Sequence, residues 1–430
     1  MQKSQKSFLH LDVLYSKMLN QKRHLIRKNH TVQRIIFFAE DVTLAHVARP
    51  LVLANSLAQR RYEIFFATGE RYRYLLENSG HSLYTISTLS SQIFLDRLAK
   101  GKPVYTKDDL KASVRSDLKL FAELSPDLVI GDFRLSLGIS ANLAKIPYAA
   151  LTNAHWSPYS TLSFPLPEHP LVNIFGVGIS RFFLKILEPV IFKYHAAPFN
   201  SLRKTSGLDP LKDLKEVYTC GDWTLYLDLP ALAPTSNTPD NHFYLGPVLW
   251  SPDIPLPEWW NGIPKDRPVL YVTLGSSGDI RFMDVIIDTL GKMPVTAIVA
   301  SAGRFEPSHL PDNIFAEKYL PGLEASKMAS LVVCSGGTAT TYQAISCGVP
   351  VLGIPSNADQ YLSMEAIVKQ EAGMLIRSGN VTGRNIRKGI ETILENADYK
   401  QNANRLKNEI PLYNAPERFS SFVDSLDERI

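Results

Sequence analysis

Val332-Val333-Cys334-Ser335-Gly336-Gly337-Thr338-Ala339-Thr340-Thr341-Tyr342-Gln343-Ala344 is the stretch on which the reading of this chain turns. It runs on through Gly348-Val349-Pro350 and Pro355 to Asp359-Gln360. The apolar run Leu331 to Cys334 has the character of a buried parallel strand. Two glycines end it, and the residues after them carry helical character. Glycine lets a backbone approach a ligand closely, and the first N–H groups of a helix have no partner within the helix. A helix end of this kind attracts anions, above all a diphosphate. Thr338, Thr340 and Thr341 add hydroxyl donors. After a lone Gly-Gly pair, Ser335 as a plain N-cap would be the simpler account. The full run with its spacing points past it.

Working outward, the same strand, turn and helix rhythm recurs on both sides. Val269 to Leu274 reads as a strand that ends in Gly275-Ser276-Ser277-Gly278, a second set of donors facing the first. Val295 to Ala300, Ile314 to Ala316 and Val349 to Ile354 read as further strands. Near the start, Ile35 to Ala39 and Tyr62 to Thr68 flank a helical pattern over Arg49 to Arg60, which makes a right-handed βαβ unit. Asp127 to Asp132, Leu135 to Ala144 and Tyr148 to Thr152 repeat it. The expectation is an α/β protein with two doubly wound Rossmann-like domains facing a cleft, where ligands bind beyond the strand C-termini. Expected boundaries are a basic extension over 1–31, a first domain over 32–235, a Pro-rich connector over 236–267, a second domain over 268–410 and a tail over 411–430. Residues 155–210 interrupt the rhythm with aromatic side chains and suit a helical lid, an acceptor wall or plain core.

Composition narrows the function classes. Of 430 residues, 45% are hydrophobic and 20% charged, which is ordinary for a globular protein. Residues 1–34 hold eight basic side chains against Asp12 alone, so the remaining chain is net acidic. Basicity confined to a tail argues against nucleic-acid binding. It fits either a loosely ordered extension or a peripheral membrane contact, because Leu9, Leu11, Leu14, Met18 and Leu25 lie among those charges. Three scattered cysteines fit a reducing, cytoplasmic setting, and no metal-ligand spacing is present.

The sequence resembles the GT-B glycosyltransferases related to the UDP-glycosyltransferases and bacterial macrolide glycosyltransferases. Their donor signature runs His-Gly-Gly-x-x-Ser/Thr-x-x-Glu-Ala, then Gly-x-Pro, then Asp/Glu-Gln. The resemblance spans roughly residues 32–410 and is specific mainly over 315–376. It implies a nucleotide-diphosphate sugar as co-substrate and no cofactor. By position it implies that Gly336, Gly337 and Thr340, with Ser335 and Thr338 beside them, hold the diphosphate. It likewise puts Gln343 on the ribose, Asp359 and Gln360 on sugar hydroxyls, Tyr319 on the nucleobase and Ser276 on phosphate or sugar. Two positions depart from the signature: Ser335 stands where the family has His, and Gln343 where it has Glu.

The resembled family places a general base after its first strand, in Gly-His-x-x-Pro. Here that region reads Ala45-His46-Val47-Ala48-Arg49-Pro50, expected as loop around His46. An acceptor hydroxyl is a poor nucleophile near neutral pH, and histidine has the pKa to activate it. Its second ring nitrogen needs a carboxylate, and Asp132 at the end of a parallel strand is the candidate; an N-cap is its simpler role. Glu40-Asp41 reads as a solvated loop. No Asp-x-Asp triplet occurs, so the expected leaving-group stabilisation comes from the helix end and hydroxyls, without metal. The function expected is inverting, metal-independent transfer of a hexose to a hydroxyl of a small apolar acceptor, lipid-, polyketide- or terpenoid-like. Two rivals share the fold: a nucleotide-sugar epimerase or hydrolase, and a non-catalytic binding partner.

Overall fold

Apolar strands buried on both faces stack side by side only when helices cover them, and the chain does this twice. The computed structural model describes residues 33–57, 61–166, 170–306 and 309–427. The extension over 1–31 lies outside them. The first sheet holds β1 (Gln33–Ala39), β2 (Tyr62–Thr68), β3 (Ser82–Thr85), β4 (Leu128–Asp132), β5 (Tyr148–Thr152), β6 (Trp223–Tyr226) and β7 (His242–Tyr244), in the order β3-β2-β1-β4-β5-β6-β7. The second holds β8 (Val269–Thr273), β9 (Thr296–Ala300), β10 (Ile314–Glu317), β11 (Leu331–Cys334), β12 (Val351–Gly353) and β13 (Gly373–Leu375), in the order β10-β9-β8-β11-β12-β13. Every pairing is parallel.

The first domain's helices are α1 (Leu44–Asn55), α2 (Ser91–Ala99), α3 (Lys107–Leu124), α4 (Leu137–Ala144), α5 (Pro170–Thr205) and α6 (Leu214–Tyr218). The second domain's are α7 (Met283–Leu290), α8 (Gly322–Met328), α9 (Thr338–Ser346), α10 (Ala358–Lys369), α11 (Gly383–Glu395) and α12 (Ala397–Glu409), and the chain ends in α13 (Ala415–Asp427). The two-residue period of β1 explains its unbroken apolar run. Ile35 and Phe37 join one core, and Ile36 and Phe38 join the core on the other face.

Two expected boundaries move. β7 falls inside the expected connector, where His242–Tyr244 still pairs with β6. By resemblance the helix around Tyr399 to Ile410 is expected to return toward the first domain; it forms α12, whose Ala403 and Leu406 stay in the second domain's core. Instead α13, inside the expected tail, returns to the first sheet. Its Phe419 is fully buried 5.9 Å from Phe37, and Asp424 accepts from Tyr62 at 2.8 Å. The stretch over 155–210, which suits a helical lid among other readings, is largely the helix α5, 36 residues long.

Strand order reverses direction between β1 and β4 in one sheet and between β8 and β11 in the other. Crevices open beyond the strand ends at such switch points. Ala39 pairs with Asp132 at the first, and Thr273 with Cys334 at the second. These four strand ends position the site.

Candidate active site

At the first switch point β1 ends and α1 begins after a short turn. Thr43 takes extended backbone angles as its N-cap, so His46 lies in the first turn of the helix rather than in the expected loop. The helix carries Arg49 three residues on, on the same face. Asp132 ends β4 and is 1% exposed. His46 Nδ1 lies 2.8 Å from Asp132 Oδ1. Arg49 clamps the same carboxylate with two bonds, Nε to Oδ2 at 2.9 Å and Nη2 to Oδ1 at 2.7 Å. Burial alone would raise the Asp132 pKa. The charges of Arg49 and His46 and their hydrogen bonds outweigh it and hold the carboxyl below its ordinary value. An ionised Asp132 accepts from Nδ1–H, which leaves the Nε2 lone pair free to take a proton.

The next residue, Phe133, takes φ 58°, a left-handed conformation that costs a bulky residue about 1–2 kcal/mol. That turn lays its ring on His46, centroids 4.8 Å apart at 20°. Aromatic rings continue outward from there. Phe133 meets Tyr218 at 5.9 Å, Tyr218 stacks on Trp156 at 5.1 Å, Trp156 meets Phe164 at 6.1 Å, and Phe164 meets Phe192 of α5 at 5.0 Å. Residues 155–210 thus supply the outer rings, Trp156, Phe164 and Phe192, and Phe133 with Tyr218 carries the aromatic wall to the base.

At the second switch point β11 leads into the turn at Ser335. Gly336 takes φ 82°, and a Cβ there would run into Met364. Gly337 is the N-cap of α9 with no side-chain bond to the helix end. Thr338 to Thr340 therefore present backbone amides without a side-chain cap, as the sequence implied. The loop after β8 closes over this turn: a Cβ on Gly278 would lie 2.7 Å from the Ser335 Cβ. Ser276 lies beside Tyr72 of the first domain, and Ser277 accepts from Gln360 Nε2 at 3.3 Å. Between the loop after β8 and the first domain lies a cavity of about 250 Å3, lined by Thr43, Arg71 and Ser91 on one side and Ser276, Ser277 and Arg304 on the other. Arg304 is held there by donating to the Gly275 and Gly278 carbonyls at 3.0 and 2.9 Å.

Other expected donor residues separate into two groups. Asp359 is 42% exposed and accepts from His155 Nε2 and Trp156 Nε1, both at 3.0 Å across the domain boundary. The desolvation of its carboxyl would raise the pKa; those bonds and the charges of His155 and His46 overcome it and bring it to about 2. These two bonds hold the start of α10 against the residues that follow β5 of the first domain. Tyr319 is 46% exposed. Gln360, by contrast, is 1% exposed and accepts from the Ser356 backbone at 2.8 Å. Gln343 spends its amide nitrogen on the Trp250 carbonyl at 2.6 Å, which leaves its oxygen as acceptor.

Several participants were not singled out from sequence. Arg49, Arg71 and Arg304 are three. A fourth group is a buried chain of side chains between the switch points. Arg49 Nη1 donates to Asn153 Oδ1 at 3.0 Å, Asn153 to Asp228 Oδ1 at 3.0 Å, and Tyr342 of α9 to the same oxygen at 3.0 Å. The base pocket and the α9 helix are thus tied by one hydrogen-bonded path. The Glu40-Asp41 pair is a correction: Glu40 is wholly buried, not solvated. It accepts from Arg134 at 2.8 Å, which also donates to buried Asp117 at 2.9 Å. The His46 helix register was the missed signal for Arg49, since a residue three positions on shares a face.

Residues 284–421 match the family model described as Erythromycin biosynthesis protein CIII-like, C-terminal domain. Over 375 residues the chain is 44% identical to a PGL/p-HBAD biosynthesis glycosyltransferase of Mycobacterium tuberculosis, covering 87% of this chain and 88% of that one. It is 43% identical over the same length to a PGL/p-HBAD biosynthesis rhamnosyltransferase of Mycobacterium bovis, covering 87% and 83%. The solved structure of spinosyn rhamnosyltransferase SpnG complexed with thymidine diphosphate shares the fold, with a TM-score of 0.65 at 16% identity over 92% of this chain and 100% of that one.

Proposed function

The chain belongs to the family of the PGL/p-HBAD biosynthesis glycosyltransferases, and from that premise we propose that it moves a hexose from a nucleoside-diphosphate sugar to a hydroxyl of a small apolar acceptor, with inversion. His46 Nε2 takes the acceptor proton. Asp132, paired to Nδ1–H, stabilises the imidazolium that forms. The leaving diphosphate is received by the amides of Thr338 to Thr340, with hydroxyls of Ser276 and Ser277 at its side. Arg71 and Arg304 supply positive charge near the place where Ser335 lacks it, so the step calls for no bound metal. Asp359 holds sugar hydroxyls once the donor displaces His155 or shares it. The acceptor lies against the aromatic wall from Phe133 to Phe164.

The observations that support this reading are the uncapped α9 end and the His46–Asp132 pair, one at each switch point, with Asp359 of the second domain bonded to His155 and Trp156 of the first. Thermal unfolding in the presence of thymidine, uridine and guanosine diphosphates tests it, because a ligand of the folded state raises the apparent Tm by mass action. At least one of them should raise it, thymidine diphosphate being the first probe given its place in the spinosyn enzyme. A flat response to all of them would remove the donor assignment. Incubation with donor sugar alone separates transfer from the hydrolase rival: transfer requires acceptor for nucleotide release.

A further inference from the structure

Among its described side chains, helix α5 buries one side. Phe192, Ala196, Phe199 and Leu202 are buried against the first domain. On its outer side, Ile179, Phe182, Phe183, Ile186, Leu187 and Val190 recur at spacings of three and four, which aligns them as one stripe. All are at least half exposed, up to 64% at Phe182 and Val190, and Tyr194 extends the stripe. Scattered exposed apolar side chains are ordinary, but a continuous stripe marks a docking surface.

Charge says what docks. Over residues 178–195 the only acidic side chain is Glu188, and Lys215 neutralises it at 3.0 Å. Lys185 and Lys193 are exposed beside the stripe. The face is therefore apolar with a cationic border. A second copy of the chain would set these lysines against each other, whereas an anionic lipid surface complements both features. The helix does not cross a bilayer, because no helix among the described residues is long and apolar enough. The aromatic wall leads inward from Phe192 on the same helix to His46. We propose that the outer face of α5 lies on an anionic lipid surface and that an acceptor held in that surface reaches His46 along this wall. The route of the acceptor to His46 rests on the sugar-transfer reading, whereas the docking itself is measured without donor or acceptor.

The test is vesicle flotation of the full chain with phosphatidylcholine vesicles, with and without phosphatidylglycerol. Wild type should float with the anionic vesicles and bind the neutral ones less. Ile186→Glu should weaken binding about tenfold or more, since it replaces an apolar side chain that enters the lipid by a charge. Lys185→Glu with Lys193→Glu should weaken binding to anionic vesicles alone. Both variants should keep the wild-type melting temperature and nucleotide binding. Equal flotation of Ile186→Glu and wild type would overturn the proposal and assign any binding to residues 1–31. Loss of a dimer in Ile186→Glu, without vesicle binding by wild type, would overturn it in favour of a second copy.

Discussion

The crevice beyond β1 and β4 and the crevice beyond β8 and β11 come from one winding rule, yet they are furnished by opposite means. The first is built from side chains: an imidazole, a carboxylate and a guanidinium within 3 Å of one another. The second is built from backbone: a glycine turn and amides at a helix end, with serine and threonine hydroxyls around them. A proton-accepting site needs a group that changes charge, so it needs titratable side chains held in place. A diphosphate site needs donors of fixed position, and backbone amides serve at no desolvation cost of a buried ion. The side-chain crevice therefore carries a buried ion pair that its partner does not, and substitutions should cost more there.

The largest effect expected on this contrast is at the base. His46→Ala should lower kcat by about 10²–10⁴ and leave the Kd for nucleoside diphosphate unchanged, measured by steady-state assay and calorimetry side by side. A lost Kd would mean that the two crevices are not separable.

Next comes the ion pair. Arg49→Met leaves the Asp132 carboxylate buried with only His46 beside it, and should destabilise the fold by about 3–5 kcal/mol in denaturant unfolding. Adding Asp132→Leu to that variant should recover most of the loss while leaving the enzyme inactive, which separates stability from catalysis.

The path joining the crevices is a smaller matter. Tyr342→Phe takes a hydrogen-bond donor from Asp228 and an acceptor from the Leu229 amide, both buried. A loss of about 1–3 kcal/mol follows from leaving them unmet. A double-mutant cycle with Asn153→Ala should give a nonzero coupling term, since both residues meet the same Asp228 oxygen.

The smallest effect is on acid stability. Asp359 has its pKa depressed from 3.8 to about 2, so it binds protons more weakly folded than unfolded. Its contribution to stability is complete above the unfolded value and is lost as pH falls from about 4 towards 2. With 42% of the side chain exposed, screening keeps the effect modest. Asp359→Asn should flatten the pH dependence of Tm over that window and lower Tm modestly at neutral pH, where the contribution is complete.

Much of the second crevice was legible in sequence, because glycine pairs, strand runs and helix starts leave local marks. The Ser335 turn is such a case: strand, φ-permissive glycines and an uncapped helix follow one another within seven residues. The first crevice was half legible. His46 and Asp132 stood out by residue type and strand position. Arg49 did not, because reading His46 in a loop hid their shared helix face. Asn153, Asp228 and Tyr342 meet only through tertiary contact across a domain boundary. The short strands β3, β6, β7 and β13 and the return of α13 to the first sheet were missed for a related cause. Three- and four-residue strands give too little periodicity, and the partner of a C-terminal amphipathic helix is set by the surface it reaches. Gln343 and Gln360 show the reverse: the motif assigns them to ligand, while their amides are engaged with Trp250, Ser356 and Ser277.

One substitution probes the backbone amides directly. Thr338 is the first residue of α9, a position where proline is tolerated, and Gly337 before it sits at φ −66° and ψ 143°, angles that a following proline favours. Thr338→Pro thus removes one N–H and spares the helix, and Thr338→Ala controls for the lost hydroxyl. Titration with the nucleoside diphosphate that raises the melting temperature most should show the proline variant binding about tenfold or more weaker than the alanine variant, the worth of a hydrogen bond to a charged oxygen, at equal melting temperature. Equal affinity in the two variants would contradict an α9 end that grips the diphosphate through its amides.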